Sequence, residues 1–157
     1  MQVRAATLAD VLSLSGSMPW AQARAISLQC YRSEMAAVVD AGGLATVIGF
    51  YPLGLTPEGE QAFELWTVSR KSLSMAAVRF IVRLARVTMQ RLAHACPVAV
   101  VSSTRAGWMP GRKLHALIGM HPVGNHDAGT EVFLWRSRDG QVCQAADGED
   151  NGRAVCP

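Results

Sequence analysis

The segment from Ser74 to Ala95 constrains the fold more than any other part of the sequence. Arg79, Arg83, Arg86 and Gln90 recur on one narrow helical stripe, while Val78, Phe80, Ile81, Val82, Leu84, Ala85, Met89 and Leu92 cover the rest of the circumference. A helix apolar over most of its surface must pack against a sheet. Pro97 stops it, because proline has no N–H to continue the ladder. The arginine stripe reads as a solvated face, with an acidic or nucleic-acid partner as the alternative.

Strand-forming stretches lie on both sides of this helix. Met1 to Ala5 reads as a short strand, Leu44 to Leu53 as a dense β-branched and aromatic run, and Ala62 to Val68 as a strong strand. Gly49, inside the second of these, marks a bulge or a close approach. In the third, Phe63, Leu65 and Thr67 alternate against Glu64, Trp66 and Val68. Val98 to Ser102 is a buried strand, polar only at its end, and Glu131 to Arg136 is a last strand paired with an extended segment near Met120 to Val123.

Three further helices are expected. Thr7 caps the first, with Asp10 completing a capping-box pair, and Ser15, Gly16, Ser17 and Pro19 end it. The second is read from about Gln22 to Asp40, on the helical spacing of Ala25, Leu28, Cys30, Tyr31, Met35 and Val38, with Gly42 and Gly43 as its stop. A short helix from Gly111 to Ile118 follows the loop Thr104 to Pro110 and is closed by Gly119. From Ser137 onward the apolar pattern fails, so residues 1–136 are expected to form one domain and 137–157 a poorly ordered tail.

At 157 residues with half of them apolar, the chain has material for a single cored domain. Its net charge of +3 falls well short of the footprint of a dedicated nucleic-acid binder. The opening MQVRAATLADVLSLSGSM is not the pattern of a signal peptide, and no apolar stretch is long enough to cross a bilayer, so a cytoplasmic setting is expected. Cys30, Cys96, Cys143 and Cys156 form no CxxC pair and read as free thiols, Cys30 and Cys96 buried as small hydrophobes. His94, His121 and His126 lack metal-ligand spacing and read as loop or helix-end residues. No metal is expected.

The order of elements, with the phrases VRAATLADV, DAGGLATVIGFYPLG, ELWTV and RKLHALIGM, resembles the GNAT (Gcn5-related N-acetyltransferase) superfamily over Met1 to Arg136. The resemblance implies a mixed, V-shaped β-sheet with helices on both faces. It implies acetyl-CoA as acyl donor and an amine on a small molecule or protein as acceptor. Members hold the pyrophosphate on a Gln/Arg-x-x-Gly-x-Gly/Ala turn, where small residues let backbone N–H groups at a helix start approach the anion. Here Lys71, Ser74 and Ala76 stand at the three motif positions, with Ser72 between them, so both glycines are replaced.

Those four residues, with the backbone N–H after Val68 polarising the thioester carbonyl, are the implied cofactor contacts. Alternatively, Lys71 and Ser74 belong to an ordinary solvated turn with Ser74 as N-cap. Glu64 stands where some members keep a glutamate base; as an outward-facing strand residue it would have no such role. His115 occupies the place of the family's tyrosine acid, or is a surface helix residue. The asparagine that usually begins this phrase would fall at Gly107 and is absent. The run from Leu65 to Leu92 also resembles GNAT-like proteins of tailed phages that have lost the glycine turn. This second resemblance implies an internal virion, assembly or host-interaction role instead of catalysis.

Overall fold

The computed structural model describes residues 1–16, 20–127 and 129–137. Ser17, Pro19, Cys143, Cys156 and the tail beyond Ser137 lie outside them. The chain runs β1 (Gln2–Ala5), α1 (Leu8–Ser15), α2 (Trp20–Arg32), β2 (Glu34–Asp40), β3 (Gly43–Leu55), β4 (Gln61–Ser69), α3 (Met75–Ala95), β5 (Val98–Arg105), α4 (Met109–Ile118), β6 (His121–Asp127) and β7 (Thr130–Arg136). The seven strands form one sheet in the order β1-β2-β3-β4-β5-β7-β6, which puts β4 at the centre.

The helix starts follow the sequence. Thr7 accepts from the Asp10 N–H while the Asp10 carboxylate accepts from the Thr7 N–H at 2.8 Å, and Arg4 grips the same carboxylate at 2.6 and 2.7 Å. Ser74 caps α3 by accepting from the Ala77 N–H at 3.1 Å. Gly119 ends α4 in the left-handed region, φ 96°. Arg79, Arg83, Arg86 and Gln90 are all exposed, as their stripe requires.

The expected helix from Gln22 to Asp40 is divided. Its first part is α2; from Glu34 the chain is strand β2, paired with β1 on one side and β3 on the other. Gly42 and Gly43 do not cap a helix. They turn the β2–β3 hairpin, in which the Asp40 carboxylate accepts from the Gly42 N–H at 2.8 Å and Gly43 takes φ 92°. Helical spacing misled because Met-Ala-Ala-Val-Val is buried on both sides of the sheet, which removes the polar alternation of a strand. Leu28 and Tyr31, counted toward the helix's apolar face, are 63% and 89% exposed.

Each face of the sheet carries its own core. On one, Ile48, Phe50, Leu65, Val98, Val100 and Phe133 pack with Ala85 and Met89 of α3 and Ile118 of α4. On the other, Val11 of α1 and Cys30 of α2 meet Ala37 and Val47, with Trp66 and Val68 beside them. Burial pushes the Cys30 thiol up in pKa, making it a poor nucleophile. Cys96, in contrast, is exposed, at the C-cap of α3. His121 and His126 belong to strand β6 rather than to a loop.

Gly49 is the close-approach position of its strand. It lies opposite Trp66, and a Cβ there would overlap the indole ring, which donates from Nε1 to Ser33 Oγ at 3.0 Å. Gly49→Ala should therefore cost about 1–3 kcal/mol, because a rigid ring in a packed layer cannot shift freely. Urea unfolding checks this. An unchanged midpoint would show that the layer yields.

Candidate functional site

All neighbouring strands pair antiparallel except β4 and β5. That parallel pairing extends only from Gln61–Val98 to Glu64–Val101, although β4 continues to Ser69 and β5 to Arg105. The strands part beyond Glu64, and the sheet opens into a V. A cleft of about 730 Å³ occupies the opening, walled by the free half of β4, the 70–73 loop, the first turns of α3, the free half of β5 and α4.

Two sets of polar side chains reach this cleft from opposite faces. Glu64 shares its side of β4 with Trp66 and Val68, facing α1 and α2, and its Oε2 accepts from Gln29 Nε2 of α2 at 3.1 Å. It is half-buried rather than a solvated strand residue. Ser102 shares its side of β5 with Val98 and Val100, facing α3 and α4. Its hydroxyl lies 2.8 Å from Nε2 of His115.

His115 is not a surface residue; it is 7% exposed and stacked on Phe133 with ring centres 4.2 Å apart. Its Nδ1 lies 2.8 Å from the Gly111 carbonyl oxygen. A carbonyl can only accept, so Nδ1 carries the proton. Burial lowers the His115 pKa, while the Gly111 carbonyl and the Glu131 carboxylate oppose that shift less strongly. The ring is accordingly neutral at neutral pH. Gly111 is required at its position, because a Cβ there would overlap Thr104 Oγ1 and the Trp108 ring.

The pyrophosphate-turn residues divide. Lys71 lines the cleft, as do Ser69, Arg70 and Leu73. Ser74 spends its hydroxyl as the α3 N-cap. Ser72 and Ala76 are exposed beside the cleft. The Val68 carbonyl accepts from Thr46 Oγ1 at 2.9 Å, with the Val68 side chain on the α1/α2 face.

Arg70 does not supply a free charge. Its guanidinium grips Asp40 at 2.5 and 3.0 Å and donates to the Ser72 carbonyl at 2.9 Å, bracing the loop. The same guanidinium, with the Gly42 N–H, holds the Asp40 pKa below the usual carboxylate range. The cleft's exposed cations are Lys71 and Lys113. Met75, Trp108 and Leu117, each more than half exposed, give it an apolar rim.

Sequence reasoning missed Ser102, which stands where an otherwise apolar strand turns polar. It also missed the burial of His115. Gly111, His115 and Ile118 recur at helical spacing and form the buried stripe of α4.

No protein-family model matches the sequence, and no curated protein matches it. Solved structures do match. A spermidine N-acetyltransferase variant from Vibrio cholerae superposes with a TM-score of 0.61 at 11% identity, over 88% of this chain and 96% of that one. A ribosomal-protein-alanine N-acetyltransferase from Brucella melitensis gives 0.59 at 13% identity, over 87% and 98%. A GNAT-family acetyltransferase from Streptococcus pneumoniae gives 0.61 at 10% identity, over 86% and 98%. The likeness is one of fold, and the fold of this chain is that of the GNAT acetyltransferases.

Proposed function

We propose that this domain is an acyl-CoA-dependent N-acyltransferase, and the observation that carries the reading is the parting of β4 and β5 around a cleft lined by the freed halves of both strands. The residues present fit an acyl-CoA. The unpaired edge of β4 beyond Glu64 offers backbone groups to the amides of a pantetheine chain, as an added strand would use them. Lys71, Lys113 and the start of α3 supply positive charge for a pyrophosphate. The apolar rim suits the uncharged part of the donor. The bound donor supplies an activated acyl carbonyl; the chain supplies orientation and proton transfer.

Glu64 is the base for the acceptor. An amine arrives as an ammonium ion and must lose a proton before it can attack. Glu64 receives that proton from the α1/α2 face, with Gln29 holding its carboxylate in place. The N–H groups at the free edge of β4, including the one after Val68, polarise the acyl carbonyl.

A second reading is favoured by one observation: the turn from Lys71 to Ala76 contains no glycine. On that reading the domain has kept the fold and lost catalysis, serving instead in assembly or host interaction, as in the phage-type proteins it resembles. Acetyl-CoA separates the two. A ligand that binds only the native state at about a hundred times its Kd stabilises it by about 2.7 kcal/mol, which thermal unfolding resolves. Wild-type protein should show this protection, and Lys71→Glu, a charge reversal at an exposed position, should lose most of it. No shift at millimolar acetyl-CoA would discard the transferase reading in favour of the second.

A further inference from the structure

The Ser102–His115 pair has chemistry that direct transfer to an amine leaves unused. With its proton on Nδ1, the imidazole presents only a lone pair at Nε2, and the Ser102 hydroxyl donates into it at 2.8 Å. In this state His115 has no proton to give a leaving thiolate. It can only receive one, which is the opposite of the acid role expected of the residue at this position.

The ring is also held in place. Phe133 stacks on it at an interplanar angle of 9°, the Gly111 carbonyl fixes Nδ1, and both Ser102 and His115 are 7% exposed. A hydroxyl within hydrogen-bond reach of a neutral imidazole, itself oriented by a third group, is the arrangement of an activated nucleophile. Both residues line the cleft, where β5 has separated from β4.

We propose that Ser102, activated by His115, takes the acyl group from the thioester as a covalent ester before the acceptor does. The inference rests on the acyl-transfer reading of the same cleft. In the first half, Ser102 Oγ attacks the acyl carbon and its proton moves to His115 Nε2. The C–S bond breaks, and the departing thiolate takes that proton from Nε2, leaving a free thiol and an acyl-serine. In the second half, an amine relieved of its ammonium proton by Glu64 attacks the ester carbonyl. One N–H proton passes through Nε2 to Oγ as the Oγ–C bond breaks, releasing the amide and restoring the pair. No reactant beyond acyl donor and acceptor is needed.

The test is intact-protein mass spectrometry of the full chain after acid quench, without amine, using p-nitrophenyl acetate and acetyl-CoA in parallel. Both should add one acetyl group, mapped by peptide sequencing to Ser102 and released by hydroxylamine. Ser102→Ala should abolish the adduct, Ser102→Cys should restore one, and His115→Gln should slow its formation by about a hundredfold or more. Unfolding midpoints near wild type show that the variants fold.

An adduct from p-nitrophenyl acetate alone would support the nucleophile and reject acyl-CoA as its donor. Adducts confined to lysine or cysteine, or none with either reagent, would overturn the proposal. So would undiminished acetyl-CoA-dependent amine acetylation by Ser102→Ala, which would leave the transferase reading intact.

Discussion

Glu64→Gln should lower acetyl transfer to an amine at neutral pH by about 10²–10⁴-fold, the usual contribution of a positioned general base. The amide keeps the size of the carboxylate and can still accept from Gln29 Nε2, now at 3.1 Å, so the unfolding midpoint should stay near that of the wild type. What it cannot do is take a proton. Residual activity should therefore rise with pH, as the acceptor becomes its own source of neutral amine. Steady-state rates across pH check both parts. Acetyl-CoA protection should persist, because Glu64 is engaged by Gln29 of α2 while the cleft's cations stand on the 70–73 loop and α4. Full activity at neutral pH would remove Glu64 from the mechanism.

Leu65→Ala should cost about 2–5 kcal/mol, the range for emptying a leucine site in a packed core. Leu65 is 2% exposed on the central strand, paired with Phe50 and packed in the cluster that joins the sheet to α3 and α4. Against a total of about 5–15 kcal/mol for a domain, that is a large fraction. Urea unfolding should show the midpoint falling with little change in slope. Arg83→Ala, on the exposed stripe of α3, should stay within about 0.5 kcal/mol and serves as the control. A loss below 1 kcal/mol at Leu65 would mean that the core closes over the vacated space.

Much of the fold was legible in the sequence because its signals are local. The α3 helix, its Ser74 cap and its exposed arginines follow from spacing along one helix. The Thr7–Asp10 capping box and the Gly119 stop depend only on residues within a turn. The β4 strand was readable from its alternation.

Local signals failed where burial on two sides hides the period. The segment Glu34 to Asp40 carries apolar residues into both cores at once, so only its pairing with β1 and β3 distinguishes strand from helix. Gly42 and Gly43 suit a helix stop and a hairpin equally well; the strand partner decided between them.

The site divides along the same line. Sequence by itself determined the central strand, the long helix behind it and the residue types at their junction, because each depends on neighbours a few positions away. Tertiary structure alone decided that β4 and β5 part after Glu64, and that Ser102 meets His115 across thirteen residues of chain. It alone placed His115 inside the protein with its ring on Phe133. A proton's position on an imidazole depends on which atoms surround the ring, and those atoms come from separate elements brought together only by folding.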